Sequence, residues 1–583
     1  MKVLLSGNEA IARGAFEANC AVACAYPGTP STEILETIGK SYPEISSAWT
    51  ANEKTALETA YGAAMAGGRA LACMKHVGLN VAADPLFTAA YNGVKKGFVI
   101  VTADDPSMHS SQNEQDNRRY GVFAKIPVLE PANSQEAKDF TKLAFQISEA
   151  FDIPVIIRLT TLISHTKTVV EINDPIREET KFEFDFADGK FMSLPYLARI
   201  HHKQLEEKIK KIREYNNTSE LNKLEMKDTR LGIVTSALTY NYVKEAFPEA
   251  SILKLGMVFP IPVKLIEDFR SKVEKMYVIE ELEPVIEEQI KFFNIKVDAG
   301  KDKVPIYFEL SVDILNEIFH NKKQKTYEVP ELPSRPPVLC PGCPHRGVYF
   351  SLNKSKSYVN GDIGCYTLGF MPPLNAMHTC ICMGASITNA NGFEMIKQRA
   401  NDDTKVVATI GDSTFIHSGI TGLIDAVYNK LNTTVIILDN DITAMTGHQP
   451  NPVTGIKING EKTTRLDLEK VCKAVGVKEV DRINPYDLKE TKEVLNKHLN
   501  LKEPSVIISS APCALLPTGV KNPPYYIDQD PCTKCKACLK IGCPAIFYDG
   551  EKVYIDRFLC TGCSLCAQVC PFNAIKQEDS NDK

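Results

Sequence analysis

A duplicated cysteine pattern near the end of the chain constrains the fold more than any other feature. Of the 18 cysteines, eight fall within residues 532–570. The stretch YIDQDPCTKCKAC, from residue 526, recurs 28 positions later as YIDRFLCTGCSLC, and in both copies two residues separate neighbouring cysteines. A Cys-Pro pair follows each copy, at Cys543 and Cys570. So many soft ligands in so short a segment predict a metal-binding domain.

Thiolates at this spacing can enclose an iron–sulfur cubane, with the remote Cys-Pro of one copy completing the cluster of the other. The pattern therefore predicts two four-iron clusters. The first would be held by Cys532, Cys535, Cys538 and Cys570, and the second by Cys560, Cys563, Cys566 and Cys543. Two structural zinc sites are the alternative, since zinc needs only four well-spaced ligands. Zinc does not explain why a triplet and a remote Cys-Pro occur twice, and the repeat resembles two-cluster ferredoxins of the bacterial type.

Length, net charge and the distribution of apolar residues limit the classes of protein to which the chain can belong. The 583 residues suggest about three to five domains. A net charge of −5 without long runs of one sign disfavours nucleic acid as the main partner. No segment reaches the ~18 apolar residues of a membrane span, and the opening MKVLLSGNEA is typical of a first strand rather than of a secretion signal. We expect a cytoplasmic protein.

Alternating helical and strand-like patterns predict an α/β fold for most of the chain. Small-residue helices such as ETAYGAAMAGGRA alternate with apolar runs such as GFVIVTA, a Lys/Glu-rich helix is predicted near 203–214, and Pro-rich segments fall at 329–337 and 522–524. The predicted regions are an α/β domain at 1–170, a charged connector at 171–228, a second α/β domain at 229–325, a third at 326–520, and the cysteine-rich domain at 521–583.

Two apolar runs of the third α/β domain end in polar residues. TIGDSTFIHSG (409–419) and VIILDNDITAMTG (435–447), with a helix predicted at about 419–431, form a βαβ unit. Ligands bind beyond the carboxyl ends of such strands. Asp412, Asn440 and the backbone carbonyl of Ile442 would form a hard oxygen site suited to Mg2+ and phosphate. With Gly411, this pattern resembles the diphosphate-binding motif of thiamine diphosphate enzymes, in which Ser413 would be the third, usually glycine, position.

Thiamine enzymes also need a glutamate that hydrogen-bonds the aminopyrimidine ring. The first domain contains AYPGTPSTEI (25–34) and then TANEKTALETAYGAAMAGG (50–68), where Glu53 is predicted to begin a helix. Glu53 is therefore the candidate. The alternative is that it only favours a helix N-terminus.

Taken together, these motifs resemble the 2-oxoacid:ferredoxin oxidoreductases, most closely the large (alpha) subunits of the indolepyruvate branch. The resemblance covers essentially the whole chain and includes CPGCPHRG at 340–347 and ITAMTGHQP at 442–450. Within this family Ser413 is the usual residue. The resemblance implies a pyrimidine-binding domain at 1–170, a transketolase C-terminal-like domain at 229–325 and a diphosphate-binding domain at 326–520.

The same resemblance implies a function. It is the thiamine-dependent oxidative decarboxylation of aryl 2-oxo acids to aryl-acetyl-CoA and CO2, with Mg2+, CoA as co-substrate, and iron–sulfur clusters that pass electrons to ferredoxin. A smaller beta subunit would complete a dimer of heterodimers. Thr29, Glu53 and His448 are the candidate catalytic residues. The alternatives are another 2-oxo acid substrate, such as pyruvate or 2-oxoglutarate, and an electron-transfer subunit with a vestigial thiamine fold, which would need neither Glu53 nor Asp412.

Four further cysteines could hold a third cluster, because related pyruvate enzymes carry one close to the thiamine in similar sequence contexts. They are Cys340, Cys343, Cys365 and Cys513. The alternative is a tight CPGC turn with the other two as small buried residues. For the remaining cysteines we expect core packing: Cys20, Cys24, Cys73, Cys380, Cys382 and Cys472. His345, His378 and His417 are expected to be structural.

Overall fold

The computed structural model describes residues 1–175, 177–184, 189–323, 328 and 330–578. It divides into two compact units, Met1–Val329 and Pro330–Lys583. Parallel α/β sheets dominate both, which confirms the predicted fold class. None of the helices in the described ranges is both long enough and apolar enough to cross a membrane.

A seven-stranded sheet forms the centre of the first unit. Its strands, in spatial order, are Met257–Phe259, Val128–Leu129, Val155–Thr160, Phe98–Asp104, Ala70–Lys75, Val22–Ala25 and Ser46–Trp49. Only Met257–Phe259 is antiparallel to its neighbour. The central strands are continuous apolar runs because a parallel sheet is covered on both faces. The carboxyl ends of the six parallel strands therefore share one edge with the loops that follow them.

Helices cover this sheet, and several have side-chain caps. They are Gly7–Glu17, Thr32–Ser41, Glu53–Met65, His76–Val81, Ala83–Asn92, Arg118–Ala124, Ser134–Phe151 and Thr161–His165. Glu53 begins its helix as predicted, and the side chain of Asn52 caps it by accepting a hydrogen bond from the Thr55 N–H at 2.9 Å. The strands Lys2–Ser6 and Lys167–Glu171 form a separate antiparallel pair, which brings the two ends of this domain together.

The rest of the first unit is a smaller α/β layer. Its sheet has the order Lys275–Ile279, Asp228–Ser236, Ala250–Leu255 and Lys223–Glu225, and its helices are Thr239–Ala246, Val263–Ser271, Val285–Phe292 and Val312–His320. The charged helix predicted at 203–214 is longer, Pro195–Asn216, because proline fits the first turn of a helix. An ion pair of 2.7 Å between Arg118 and Glu280, both buried, also joins this layer to the first sheet.

The second unit contains a six-stranded, wholly parallel sheet. In spatial order its strands are Thr379–Cys380, Tyr358–Gly361, Val406–Gly411, Thr434–Asp439, Ser505–Ser510 and Glu479–Ile483. The main helices are His345–Ser355, Ala385–Ala400, Ile420–Tyr428, Leu468–Ala474 and Leu488–His498. The helix predicted at about 419–431 is preceded by helical turns that begin at Asp412 and include a π-helical segment, Phe415–Gly419.

The cysteine-rich tail has two small antiparallel pairs of strands, Tyr525–Ile527 with Ile575–Gln577 and Ile546–Tyr548 with Val553–Ile555. It is fixed to the six-stranded domain by polar contacts. The Gln568 side chain donates to the Tyr486 carbonyl at 2.7 Å and accepts from the Leu488 N–H at 2.9 Å. The Tyr486 hydroxyl in turn donates to the Gly342 carbonyl, in the CPGC turn, at 2.7 Å.

Candidate active site and cysteine groups

Asp412 and Asn440 follow the carboxyl ends of two neighbouring strands. Val406–Gly411 and Thr434–Asp439 are parallel and in register, with Gly411 opposite Leu438. Both residues therefore stand at the same edge of the six-stranded sheet, and both side chains are buried. The sequence predicted this juxtaposition from the ends of the two apolar runs.

The Asp412 carboxyl lies in an electrostatically unfavourable position. Burial raises its pKa to about 8, and the neighbouring Asp439 carboxylate adds to the rise. The Asn451 amide donates a long hydrogen bond of 3.4 Å to it, and no Lys or Arg pairs with it among the described residues. Arg482 contacts the Asp439 carboxylate at 3.4 Å, so the buried Asp412 carboxyl is the one that needs a counter-charge when it ionises. The arrangement fits a bound divalent cation of the kind that carboxylate and amide oxygens prefer.

The loop after the second strand closes on itself beside Asp412. Thr443 and Gln449 form an antiparallel bridge, and the Asn451 amide also donates to the Thr443 hydroxyl at 3.2 Å. Ile442 immediately precedes this bridge. Asn451 thus ties Asp412 to the loop, although it lies 39 positions further along the chain. Sequence reasoning missed Asn451, because only the folded loop brings it back.

Asp362 is a second residue at this edge that the sequence analysis did not single out. It follows the strand Tyr358–Gly361 and is fully buried. Its carboxylate accepts hydrogen bonds from the N–H groups of Gly384 and Ser386, both at 3.0 Å, at the start of the helix Ala385–Ala400. The Gly361-Asp362 pair at the end of the short strand was the available signal. Ser413 is buried too, and the Thr414 hydroxyl donates to the Ile363 carbonyl at 3.2 Å.

The four histidines of this domain that the sequence analysis considered have different environments. His448 adopts a left-handed φ of 69°, and its Nε2 atom is buried without a hydrogen-bond partner among the described residues. His345 is buried edge-on to Tyr366, and burial lowers its pKa to about 4. The His378 Nδ1 atom accepts from the Val359 N–H at 2.9 Å, and the His417 ring contacts the Ser418 hydroxyl at 2.6 Å.

Glu53 lies at the corresponding carboxyl edge of the seven-stranded sheet, in the first unit. Its side chain is only 5% exposed. It packs directly against Gly78, where a Cβ atom would lie 2.6 to 2.9 Å from the Glu53 Cγ, Oε1 and Cδ atoms. The position of the Glu53 carboxyl therefore depends on the absence of a side chain at residue 78. Neither the KHVG stretch nor Gly78 stood out in the sequence.

The YPGTPST loop lies on this edge as well. The Gly28 N–H donates to the Thr32 hydroxyl and the Ser31 hydroxyl donates to the Gly28 carbonyl, both at 2.9 Å. Gly28 packs against Lys75, whose pKa is lowered to about 8 by burial, against opposing effects from Asp105 and Glu53. Thr29 is half-buried at the tip of the loop. The partly buried Lys75 and the buried Asp105 add two charged groups to this edge that sequence patterns did not reveal.

The tail cysteines surround two separate cavities that divide them into the two predicted sets. One cavity is lined by Cys532, Cys535, Cys538 and Cys570. The other is lined by Cys543, Cys560, Cys563 and Cys566. Backbone N–H groups donate to the Cys560 and Cys570 sulfurs, each at 3.3 Å. Thiols arranged around a cavity fit a four-iron cubane. A single zinc ion, with bonds of about 2.3 Å to each sulfur, would require the four sulfurs to lie much closer together.

The structure also brings the four candidate cysteines of the third group together. The pKa of Cys365 is raised to about 11 by burial and by the neighbouring thiols of Cys513 and Cys340. The pKa of Cys343 is raised to about 12 by burial, with Cys340 and Cys365 adding to the rise. These interactions require mutual proximity, since charge effects decline with distance.

The expectation of core packing for the other cysteines was wrong at two positions. Cys20, Cys24, Cys73 and Cys472 are buried, whereas Cys380 and Cys382 are exposed. Cys380 lies in an edge strand of only two residues, Thr379–Cys380, which is paired on one side. An outer strand leaves its side chains open to solvent.

Family models match the three parts of the chain that carry these features. The thiamine-binding model of the pyruvate flavodoxin/ferredoxin oxidoreductases matches residues 13–225, and the C-terminal TPP-binding domain model of thiamine pyrophosphate enzymes matches residues 362–509. A 4Fe-4S binding domain model matches residues 553–576. These matches confirm the predicted thiamine diphosphate and iron–sulfur cofactors.

Curated relatives match from end to end. An indolepyruvate oxidoreductase subunit IorA from Archaeoglobus fulgidus is 43% identical over 100% of this chain and 98% of its own length. Its counterpart from Thermococcus kodakarensis is 44% identical over 99% of this chain and 97% of its own. A 2-oxoglutarate synthase subunit KorA from Methanothermobacter thermautotrophicus is 29% identical over only 30% of this chain and 48% of its own. The chain belongs to the indolepyruvate oxidoreductase IorA family, a thiamine-dependent, iron–sulfur-containing branch of the 2-oxoacid:ferredoxin oxidoreductases.

Proposed function

We propose that this chain is the large subunit of an enzyme that oxidises aryl 2-oxo acids such as indolepyruvate. The 2-oxo acid and CoA would give an acyl-CoA, CO2 and a proton, and two electrons would pass to ferredoxin. The observation that carries the substrate class is the name shared by full-length relatives at 43% and 44% identity, against the partial match to a 2-oxoglutarate relative. A smaller subunit, absent from this chain, would complete a dimer of heterodimers.

The edge around Asp412 would hold the Mg2+ and the diphosphate. Asp412, Asn440 and the Ile442 carbonyl would bind the cation, and the backbone of Gly411 and Ser413 would approach the phosphates. The raised pKa of Asp412 supports this assignment, because a bound cation offsets the charge that the protein leaves uncompensated. A vestigial fold would have no reason to retain a buried carboxyl beside Asp439, and this favours the enzyme over an electron-transfer subunit.

Glu53 would hydrogen-bond the aminopyrimidine ring. Bound thiamine diphosphate supplies the carbon nucleophile that permits loss of CO2 from a 2-oxo acid. Glu53 would hold a proton at the ring nitrogen, and its tight packing against Gly78 would fix the carboxyl in place. Thr29 and His448 are proposed to contact the substrate, His448 because its Nε2 atom is buried without a partner among the described residues.

Electrons would leave through the cysteine groups. The two tail cavities are assigned to four-iron clusters, and Cys340, Cys343, Cys365 and Cys513 to a third cluster. The proximity of these four thiols supports the third assignment. Tyr486 lies within electrostatic reach of Cys343 and Cys513 on one side and Cys563 on the other. The third group therefore adjoins the second tail cavity.

An anaerobic assay of ferredoxin reduction tests the substrate assignment. The chain would be produced together with its smaller subunit and supplied with CoA, and kcat/KM would be measured for indolepyruvate, phenylpyruvate, pyruvate and 2-oxoglutarate. We expect the aryl substrates to be preferred by at least tenfold. Preference for pyruvate or 2-oxoglutarate would show that the proposed substrate class is wrong. If none of the four 2-oxo acids supports ferredoxin reduction by protein that has its full iron and thiamine content, the chain would be an electron-transfer subunit instead.

A further inference from the structure

Arg346 carries a positive charge that is almost completely removed from solvent. The side chain is 1% exposed and belongs to the first turn of the helix His345–Ser355. Its guanidinium donates to four backbone carbonyl groups, two in the segment before the helix and two in the cysteine-rich tail. These are Leu339 at 2.6 Å, Cys340 at 2.9 Å, Ile541 at 3.1 Å, and Gly542.

These contacts leave the charge uncompensated. Among the described residues Arg346 pairs with no carboxylate, and its Nε atom is buried without a hydrogen-bond acceptor. The start of a helix is also the positive end of its dipole, where a cation is least favoured. A buried cation is costly unless a negative group lies close to it. Carbonyl groups satisfy its hydrogen bonds but do not neutralise it.

The surroundings of Arg346 indicate where the negative group belongs. Arg346 lines the cavity enclosed by Cys543, Cys560, Cys563 and Cys566. Thr561 lines the same cavity, and its hydroxyl oxygen is likewise buried without a partner in the described part of the chain. Two unpartnered polar groups thus border one cavity. A thiolate-ligated cluster there would present sulfur acceptors and a net negative charge that increases on reduction.

We propose that Arg346 is the fixed counter-charge and an N–H donor of the cluster in this second cavity, and that it raises the reduction potential of that cluster. The proposal rests on the cluster assignment made above. Positive charge and hydrogen bonds to sulfur both favour the reduced form of such a cluster. Arg346 would therefore act by tuning the acceptor of electrons rather than by contacting the substrate.

The first tail cavity offers a contrast. The basic residue among its described lining residues is Lys536, which is exposed to water. Water and salt screen an exposed charge far more than a buried one. We infer that the two tail clusters differ in potential, with the cluster beside Arg346 the easier to reduce. Electrons from the third cysteine group would then reduce the cluster beside Arg346 before the cluster in the first cavity.

A redox titration followed by electron paramagnetic resonance tests this proposal on the full-length chain. Arg346→Gln removes the charge and retains an amide donor, and Arg557→Gln is the control, because Arg557 is an exposed arginine of the tail that pairs with Glu578. At the wild-type midpoint, we expect the ratio of reduced to oxidised cluster to fall at least tenfold in Arg346→Gln, which is about 59 mV for a one-electron couple. A single cluster should shift, and Arg557→Gln should shift none.

Iron analysis separates this proposal from the cluster assignment. If the wild-type chain contains at least about eight irons but the potentials of Arg346→Gln are unchanged, the tuning role is wrong and the cluster assignment is retained. If the wild type lacks this iron, the assignment itself fails.

Arg346→Lys keeps the test decisive if the glutamine variant does not retain its iron. Lysine keeps the positive charge but loses the planar fork of donors. We expect the ratio of reduced to oxidised cluster at the wild-type midpoint to change by less than tenfold in Arg346→Lys. A fall of tenfold or more despite the retained charge would exclude the charge as the group that tunes the potential.

Discussion

The backbone carbonyl of Asn440 accepts a hydrogen bond of 3.0 Å from the backbone N–H of Cys513. The candidate Mg2+ ligand and a cysteine of the third group are therefore fixed to each other through the main chain. Electron transfer from a thiamine-bound substrate needs its first acceptor close by, and this contact would put one there. The relationship makes the third group directly testable.

Cys513→Ser should remove one cluster and leave the others. We expect the iron content of the full-length chain to fall from about twelve to about eight atoms, because serine is a poor ligand for the iron atom that Cys513 would bind. Iron and sulfide analysis after anaerobic purification measures this. Cys472→Ser is the matched control, since Cys472 is buried outside the three groups. A wild-type content of about eight, unchanged by Cys513→Ser, would show that the third group holds no cluster.

Asp412→Asn should abolish Mg2+-dependent binding of thiamine diphosphate, because the diphosphate would lose its counter-ion. Isothermal calorimetry measures this, with Asp425→Asn as the control at an exposed carboxylate of the helix Ile420–Tyr428. Binding should also strengthen up to about pH 8, because the Asp412 carboxyl must lose its proton to bind the cation. An unchanged affinity of Asp412→Asn for thiamine diphosphate would show that Asp412 does not bind the cation.

The stability of the metal-free chain should depend on pH through the same residue. The folded-state pKa of Asp412, about 8, lies above its ordinary value of 3.8, so folding favours the protonated carboxyl. This contribution is fully present below pH 3.8 and is lost as the pH rises through 8. It is on the order of a few kcal/mol. Chemical denaturation of metal-free protein at pH 6 and 8 should show a smaller loss of stability in Asp412→Asn than in the wild type.

Glu53→Gln should impair catalysis far more than cofactor binding. We expect kcat to fall ~100- to 10,000-fold, the usual contribution of acid–base assistance, with iron content unchanged. Exchange of the thiazolium C2 proton, followed by NMR, should slow in parallel. Glu58→Gln is the control, because Glu58 lies on the same helix but is exposed and paired with Lys54. Exchange at the wild-type rate in Glu53→Gln would assign the acid to another residue.

Gly78→Ala should displace the Glu53 carboxyl, since the new methyl group would lie within 2.9 Å of three of its side-chain atoms. We expect slower C2 proton exchange together with destabilisation of about 1 to 3 kcal/mol from overpacking. Gly62→Ala provides the control, because Gly62 lies on the Glu53 helix and a methyl group added there would have no atom within 4 Å. Alanine at this position should stabilise the helix slightly. Normal exchange in Gly78→Ala would show that the Glu53 position tolerates movement.

The features predicted from sequence were those that short patterns reveal. The cysteine triplets and Cys-Pro pairs of the tail, the polar residues that end two apolar strands, and the helix that begins at Glu53 are each recognised from residues a few positions apart. Asn451, Arg346 and Gly78 were missed because their importance arises only from what the folded chain brings against them. An arginine after a cysteine motif is normally a surface residue, and nothing in CPGCPHRG shows that this one is buried against a second domain.

The docking of the tail determines how electrons can leave the enzyme. The hydrogen bonds between Gln568 and the segment at Tyr486, and from Tyr486 to the CPGC turn, hold the tail on the domain that contains Asp412. We expect a domain held in this way to stay in place rather than to move between a loading and an unloading position. The tail would then be a stationary conductor to which the external acceptor has to diffuse, and the exposed Cys535 would mark the face that this acceptor meets.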